Sequence, residues 1–299
     1  MPRTEPGGIV VRVLGAGVCH TDLHIIDGAI SQITLPLVLG HEITAESEEL
    51  GPVLVYSCWG CGKCRHCLSG EEQLCLSGSA PGWIRDGGYA EYLAVPSPRY
   101  LIPLDGLDPI SAAPLADAGV TPYRAVRRAL DWLHRGATVM VLGAGGLGQF
   151  AIQYLRLFAP LAAVVAVDID FAKCKRALEL GADATMAPDE VTARSDVVLD
   201  FVGTTASLAL AARVVERRGL VMQIGEGGGR LLFGIDETEQ EATFTTSIWD
   251  SLEDLRAVLE LARRRRIAWE VEEFPLEEAN IALDRLREGK IRGRAVLRP

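Results

Sequence analysis

Apolar and polar residues change rhythm along this chain. Up to about residue 118, short apolar runs such as Ile9 to Leu14, Val53 to Tyr56 and Tyr89 to Val95 are separated by turns rich in glycine and proline, which predicts an irregular β domain. From about residue 119 the runs become continuous: Thr138 to Leu142, Ala163 to Asp168, Asp196 to Asp200 and Leu220 to Ile224, with helical stretches between them. Strands apolar on both faces belong to a sheet covered on both sides, so this part predicts an α/β fold with a doubly wound parallel sheet. After about residue 250, Leu252, Leu255, Val258, Leu259 and Ala262 mark an amphipathic helix. A strand-like Ala268 to Phe274, a helix from about Leu276 to Glu288 and a strand from Arg294 to Leu297 follow. The expected divisions are therefore 1–118, 119–249 and 250–299.

Composition narrows the partners more than the fold. With 48% hydrophobic and 23% charged residues in 299, the chain can bury a substantial core. A formal charge of -10 works against binding to nucleic acid or an anionic membrane, both of which need clustered Lys and Arg. The one basic run, Arg263 to Arg266, ends a predicted helix, where cations complement the dipole, and reads as a solvated helix end. Residues Met1 to Gly8 offer no apolar signal-peptide core, and no stretch reaches the roughly 18 apolar residues of a membrane span. A cytoplasmic address is expected. In that reducing compartment the seven cysteines are metal ligands or catalytic groups rather than disulfides, and five of them fall between positions 58 and 75.

Cys61, Cys64, Cys67 and Cys75 have the spacing C-x2-C-x2-C-x7-C within the loop 58–75, with Gly60, Gly62 and Gly70 supplying turns. Four thiolates with no open position suit a tetrahedral structural zinc that fixes a loop lacking its own core. An iron–sulfur arm shares the first spacings, but its fourth cysteine comes sooner and is followed by Pro. Cys58 and Cys174 fall outside the pattern and receive no role.

A glycine pattern supplies the second signal. Gly143, Gly145 and Gly148, with Gly146 and Leu147 between them, follow the apolar Val139 to Leu142 and open the helical stretch Gln149 to Phe158. Such a strand, glycine turn and helix N-terminus cradle a pyrophosphate. Asp168 ends the next strand, 20 positions beyond Gly148. A carboxylate there accepts from an adenosine ribose and repels a 2′-phosphate, which favours NAD over NADP. A glycine-rich turn in an unrelated α/β protein is the plainer reading.

Upstream, Gly17-Val18-Cys19-His20-Thr21-Asp22-Leu23-His24 and Gly40-His41-Glu42 offer one thiolate and one imidazole from separate loops. Alone they are only suggestive. Together with the four-cysteine loop and the glycine pattern, in that order along nearly the whole chain, they resemble the zinc-dependent medium-chain alcohol dehydrogenases. The resemblance implies a GroES-like β-barrel catalytic domain, a Rossmann coenzyme domain and a C-terminal return to the catalytic domain. It implies one catalytic and one structural zinc, NAD as cofactor, and an alcohol, aldehyde or ketone as substrate. Cys19 and His41 match catalytic zinc ligands, and Asp22 and Glu42 match supporting carboxylates, of which Glu42 is the alternative ligand. Asp117, in Pro114-Leu115-Ala116-Asp117-Ala118-Gly119, stands where the family usually has a third, cysteine ligand. Thr21 and His24 match a proton relay, in which the hydroxyl takes the alcohol proton and the imidazole receives it through the cofactor ribose.

For the cofactor, the resemblance places Thr121 beside the nicotinamide, Lys173 beside the adenosine ribose, Ile224 and Gly225 at a strand end and Arg292 on the pyrophosphate. Trp59 and Trp249 are similar in position to substrate-pocket residues. Relatives of this kind form dimers or tetramers, so a homo-oligomer is expected. The chain departs from the pattern by lacking strands before Gly17 and part of the stretch between Glu42 and the cysteine loop, so an incomplete barrel is expected. The short stretch Ala184 to Ser195, interrupted by Pro188, predicts the loss of a crossover helix. A protein of the same fold that binds NAD and structural zinc without turnover is the second reading, and a zinc-loop module for nucleic acid the third. Lys63 and Arg65 are too few cations for that last reading.

Overall fold

The computed structural model describes residues 1–30 and 32–299. They form two compact units, Met1–Val120 with Trp249–Pro299, and Thr121–Ile248. In chain order the strands are β1 (Ile9–Val18), β2 (Glu42–Ser47), β3 (Gly51–Val55), β4 (Tyr92–Val95), β5 (Leu101–Pro103), β6 (Thr138–Leu142), β7 (Ala163–Val167), β8 (Ala184–Met186), β9 (Ser195–Asp200), β10 (Val215–Gln223), β11 (Thr243–Thr246), β12 (Val271–Pro275) and β13 (Arg294–Arg298). The helices are α1 (His20–Ile26), α2 (Arg65–Leu68), α3 (Pro109–Ala112), α4 (Val120–Ala129), α5 (Gly148–Phe158), α6 (Phe171–Glu179), α7 (Thr205–Val214), α8 (Leu252–Arg263) and α9 (Ala279–Arg287). None of the described helices is long and apolar enough to cross a membrane.

The first unit is built on one sheet in the order β12-β13-β1-β2-β3-β5, with β4 pairing β1 off that path. β1 organises it. Its first half pairs β4 from Ile9 to Arg12, its second half pairs β13 from Ala16 to Val18, and β2 runs along the other side with an irregularity between Val13 and Gly15. Arg12 points to solvent between buried Val11 and Val13, whereas Gly15 to Val18 are all buried, because β13 and α3 cover the second half. The ladder ends at β12 and β5, and no pairing among the described residues joins them. The C-terminal segment belongs to this unit. Phe274, Ala282, Leu283, Leu286, Ala295 and Leu297 form one apolar cluster with Val18 and Leu23, which fixes β13 beside β1. Arg263 is more than a solvated helix end: its guanidinium donates to Pro103 O at 2.6 Å and pairs with Asp105, tying α8 to the end of β5.

The second unit is a six-stranded parallel sheet in the order β11-β10-β9-β6-β7-β8, the doubly wound topology that continuous apolar runs predict. β6 lies at its centre between β7 and β9, so both its faces are buried. Strand order reverses there, and ligands in such sheets sit beyond the strand ends at that switch point. Phe150, Tyr154 and Phe158 stack along α5, with Tyr123 of α4 set edge-on against two of them. Residues 187–194, which join β8 to β9, contain no helix. In its place Val191 inserts one fully buried side chain into the cluster of Leu210, Val214 and Val198, and Arg213 of α7 donates to Val191 O at 3.1 Å.

Candidate functional site

The four-cysteine loop is shaped by turns rather than by packing. Cys64 starts the single-turn helix α2, and Cys61, Cys67 and Cys75 converge on it, the four sulfurs lying within 4.8 Å of one another. Cys64 and Cys67 are 3.5 Å apart and Cys61 and Cys67 3.9 Å. Tetrahedral zinc thiolates are separated by roughly 3.7 Å, so the loop is already at the required spacing. Gly60 cannot carry a Cβ, which would strike Glu72 and the Cys67 sulfur. Backbone N–H groups of Lys63 and Cys64 pull the Cys61 thiol down to about 6, which favours the metal-binding thiolate, whereas burial pushes Cys67 up to about 12. Behind the loop Arg99 pairs with Glu72 at 2.7 Å and lies over the Tyr100 ring, whose hydroxyl donates to Gly60 O.

A second cluster is assembled from distant segments. Cys19 follows β1 and caps α1, His41 and Glu42 enter β2, and Asp117 sits in the turn after residues 113–116. One ligand atom from each of these four lies within 4.8 Å of the others, and all four residues are at most 6% exposed. Asp117 Oδ2 is 3.6 Å from Cys19 Sγ and 3.5 Å from His41 Nε2, again the separation of neighbouring tetrahedral ligands. His41 Nε2 and Glu42 Oε2 are buried with no hydrogen-bond partner, which a metal ion would resolve. Burial opposes a charged His41, yet the neighbouring Asp117 carboxylate, the Cys19 thiol and the charge of Asp22 push its pKa well above the ordinary value. The donor set therefore fits zinc at Cys19, His41 and Asp117, with Glu42 in reach.

Supports surround these donors. Gly17 faces Glu42 across the β1–β2 ladder, and a Cβ there would overlap the Glu42 carboxylate. Glu42 in turn pairs with Arg294 of β13, both buried. Burial pushes the Glu42 carboxyl up and the Arg294 charge opposes that push. Ser57 Oγ donates to His41 O at 2.5 Å, and Cys19 N donates to Asp22 Oδ2 at 2.9 Å. Thr21 Oγ1 is 3.6 Å from Cys19 Sγ, and His24 stands one turn further along α1, both partly exposed.

In the second unit Gly143 has φ +86° and follows β6, and Gly148 opens α5 so close to Gly143 O that a Cβ could not fit. A Cβ on Gly145 would meet nothing within 4 Å, so the backbone there is open to a ligand. Gly146 and Leu147 complete the turn, with Leu147 at the helix cap. Asp168 is doubly used: Oδ2 accepts from Ala144 N at 2.8 Å and Oδ1 from Asp170 N at 2.9 Å, which fixes the glycine turn to the end of β7. Lys173 lies 3.9 Å from Asp170 on α6, Thr121 is buried in α4, and Ile224 and Gly225 both donate to Asp200 O.

The structure thus brings together Cys19, His41, Glu42 and Asp117 in one cluster and the four loop cysteines in another. Arg292 is exposed in the first unit and pairs with Glu270, while its neighbour Arg294 is the buried one. Trp59 is buried, donating to Tyr56 O at 2.7 Å and tilted against Tyr100, and Trp249 meets Trp83 edge-on. Sequence reasoning missed Arg294, Ser57 and Tyr89. For Arg294 a signal exists, a charged residue opening an apolar final strand; for the others there is none.

Comparison with known proteins gives two family models, Alcohol dehydrogenase GroES-like domain over residues 5–106 and Zinc-binding dehydrogenase over residues 146–264. An NAD-dependent alcohol dehydrogenase of Sulfolobus acidocaldarius is 37% identical, with 100% of this chain and 94% of the relative covered. That alignment runs over 329 positions against 299 residues here, so the difference falls in gaps within this chain. A D-arabinose 1-dehydrogenase (NADP(+)) of Saccharolobus solfataricus is 32% identical over 100% of this chain and 92% of the relative. Among solved structures, an alcohol dehydrogenase from the archaeon Aeropyrum pernix matches with TM-score 0.91 and 35% identity, covering 100% of this chain and 94% of that one.

Proposed function

This chain belongs to the zinc-binding, medium-chain alcohol dehydrogenases, and from that premise we propose that it transfers a hydride between a primary or secondary alcohol and NAD, giving an aldehyde or ketone. It is an oxidoreductase acting on small molecules. The observation that carries the finer reading is the buried convergence of Cys19, His41 and Asp117 at tetrahedral spacing. Zinc held there would supply Lewis-acid polarisation of an alcohol or carbonyl oxygen. A second zinc in the four-cysteine loop is structural, since four thiolates leave no open position.

The chain's own residues do the rest. Asp22 and the Ser57 hydroxyl orient His41, and Arg294 offsets the charge of Glu42 behind the donors. Thr21 takes the alcohol proton and His24 receives it, the two lying on one face of α1. The glycine turn Gly143 to Gly148 and the N-terminus of α5 hold the pyrophosphate, with Thr121, Lys173, Ile224 and Gly225 as further cofactor contacts. Asp168 keeps accepting capacity for a ribose hydroxyl beside its two backbone bonds, and its charge repels a 2′-phosphate, which supports NAD.

A homodimer or homotetramer belongs to the same proposal. The edge strand β11 and the exposed Leu232, Phe233 and Ile235 support it. Two measurements test the reading: metal per purified chain, expected at two zinc ions, and alcohol-dependent reduction of NAD against NADP. One ion per chain without turnover, or a preference for NADP, would overturn it. Asp168→Ser is expected to relax the discrimination between the two cofactors.

A further inference from the structure

Asp22 stands behind His41 as a fully buried carboxylate whose two oxygens are used differently. Oδ2 accepts from Cys19 N at 2.9 Å and from the Tyr89 hydroxyl at 2.8 Å. Oδ1 has no hydrogen-bond donor and faces His41 Nδ1 at 3.7 Å. Two donors on one oxygen fix the rotation of the carboxylate and so aim the other oxygen at the imidazole. An imidazole that keeps its proton on Nδ1 presents the lone pair of Nε2 toward Cys19 and Asp117.

Tyr89 reaches Asp22 because its segment is zipped to the one carrying His41. Gly87 N, Gly88 N and Tyr89 N donate to Val38 O, Gly40 O and Leu39 O at 2.7, 2.9 and 2.9 Å. The tyrosine ring lies against Gly40, which has φ +96° and has no room for a Cβ on that side. A phenylalanine would fill the same space. Only the hydroxyl connects to Asp22.

We propose that Tyr89 is a positioning residue for the Cys19–His41–Asp117 metal centre, its hydroxyl locking Asp22 so that His41 presents Nε2 as a ligand. The proposal rests on the reading of that cluster as a metal site. Carboxylates and hydroxyls behind a ligating histidine typically set metal affinity by about ten- to a hundredfold. Tyr89→Phe removes the donor while leaving the ring on Gly40.

The test is a titration of metal-free parent and Tyr89→Phe chains with buffered Co²⁺, read by absorption. A four-thiolate site and a site with one thiolate give different charge-transfer intensities, so each chain reports on both centres. The expected result is a loss of about tenfold or more in Co²⁺ affinity at the one-thiolate site and an unchanged four-thiolate site. Parent affinity at both sites in the variant overturns the proposal and leaves the metal reading intact. Equal weakening at both sites assigns Tyr89 a general structural role and also overturns it. A parent chain that binds Co²⁺ only with four thiolates removes the metal reading and the proposal with it.

Discussion

The four-cysteine loop and the Cys19–His41–Asp117 cluster have similar donor spacings and opposite constructions. The loop takes all its donors from fifteen consecutive positions, Cys61 to Cys75, and leaves most of them partly exposed. The cluster takes donors from three segments up to 98 positions apart and buries every one. Each has an Arg–Glu pair behind it. Arg99 of the Arg99–Glu72 pair is 44% exposed, whereas both members of Arg294–Glu42 are at most 3% exposed. The loop has little apolar core, so the metal itself would hold it together. The cluster is held by the β sheet, so its geometry does not depend on an ion, and an ion held there would be free to serve chemistry.

That contrast predicts unequal damage. The largest effect is expected from Cys64→Ser, which removes a donor from a loop proposed to depend on zinc: soluble yield falls, or the melting temperature drops by about 10 °C or more. Normal melting with lost turnover would show that the loop, not the buried cluster, serves the reaction. Arg294→Met leaves Glu42 buried without its cation and is expected to destabilise by about 3–5 kcal/mol, measured by denaturant unfolding of the metal-loaded chain.

Asp117→Asn is expected to spare melting but lower kcat/KM at least about a hundredfold, or roughly 2.7 kcal/mol, with loss of one zinc per chain. Asp117→Cys should retain that zinc. Full activity in Asp117→Asn combined with metal loss in Glu42→Gln would move the third ligand to Glu42. The smallest effect is expected from Arg99→Met. Arg99 is 44% exposed, so water can replace it beside the Glu72 carboxylate, unfolding free energy should change by about 1 kcal/mol or less, and a loss as large as that of Arg294→Met would erase the distinction.

Away from the metal clusters, the same contrast between local and assembled structure runs through the fold. The expected strand Thr138 to Leu142 is β6 to the residue, because a run apolar on both faces leaves a central parallel strand few alternatives. The helix after the glycine turn starts at Gly148, one residue before the expected Gln149, where close approach to Gly143 O leaves no room for a Cβ. By contrast β10 begins at Val215, five residues before the apolar run at Leu220, because Val215 pairs with Ser195 of β9 ahead of an irregularity, and pairing resumes only at Leu220 opposite Val197. The short β8–β9 connection could be seen in the sequence, but nothing there marked Val191 as the residue that would plug the core.

The sequence by itself determined whatever depends on spacing along the chain: the four-cysteine loop, the glycine turn with Asp168 after the next strand, the succession of strands and the amphipathic helix near the C-terminus. Short-range geometry is fixed by a few backbone dihedrals, so residue type and separation are enough to read it. Only the tertiary structure decided which of two arginines, Arg292 or Arg294, turns inward to Glu42, that Tyr89 reaches Asp22, and that Asp117 lies within ligand distance of both Cys19 and His41. Those contacts join positions 67 to 252 residues apart. They follow from strand register and sheet order, where a shift of one residue reverses the face of every side chain, so local sequence cannot specify them.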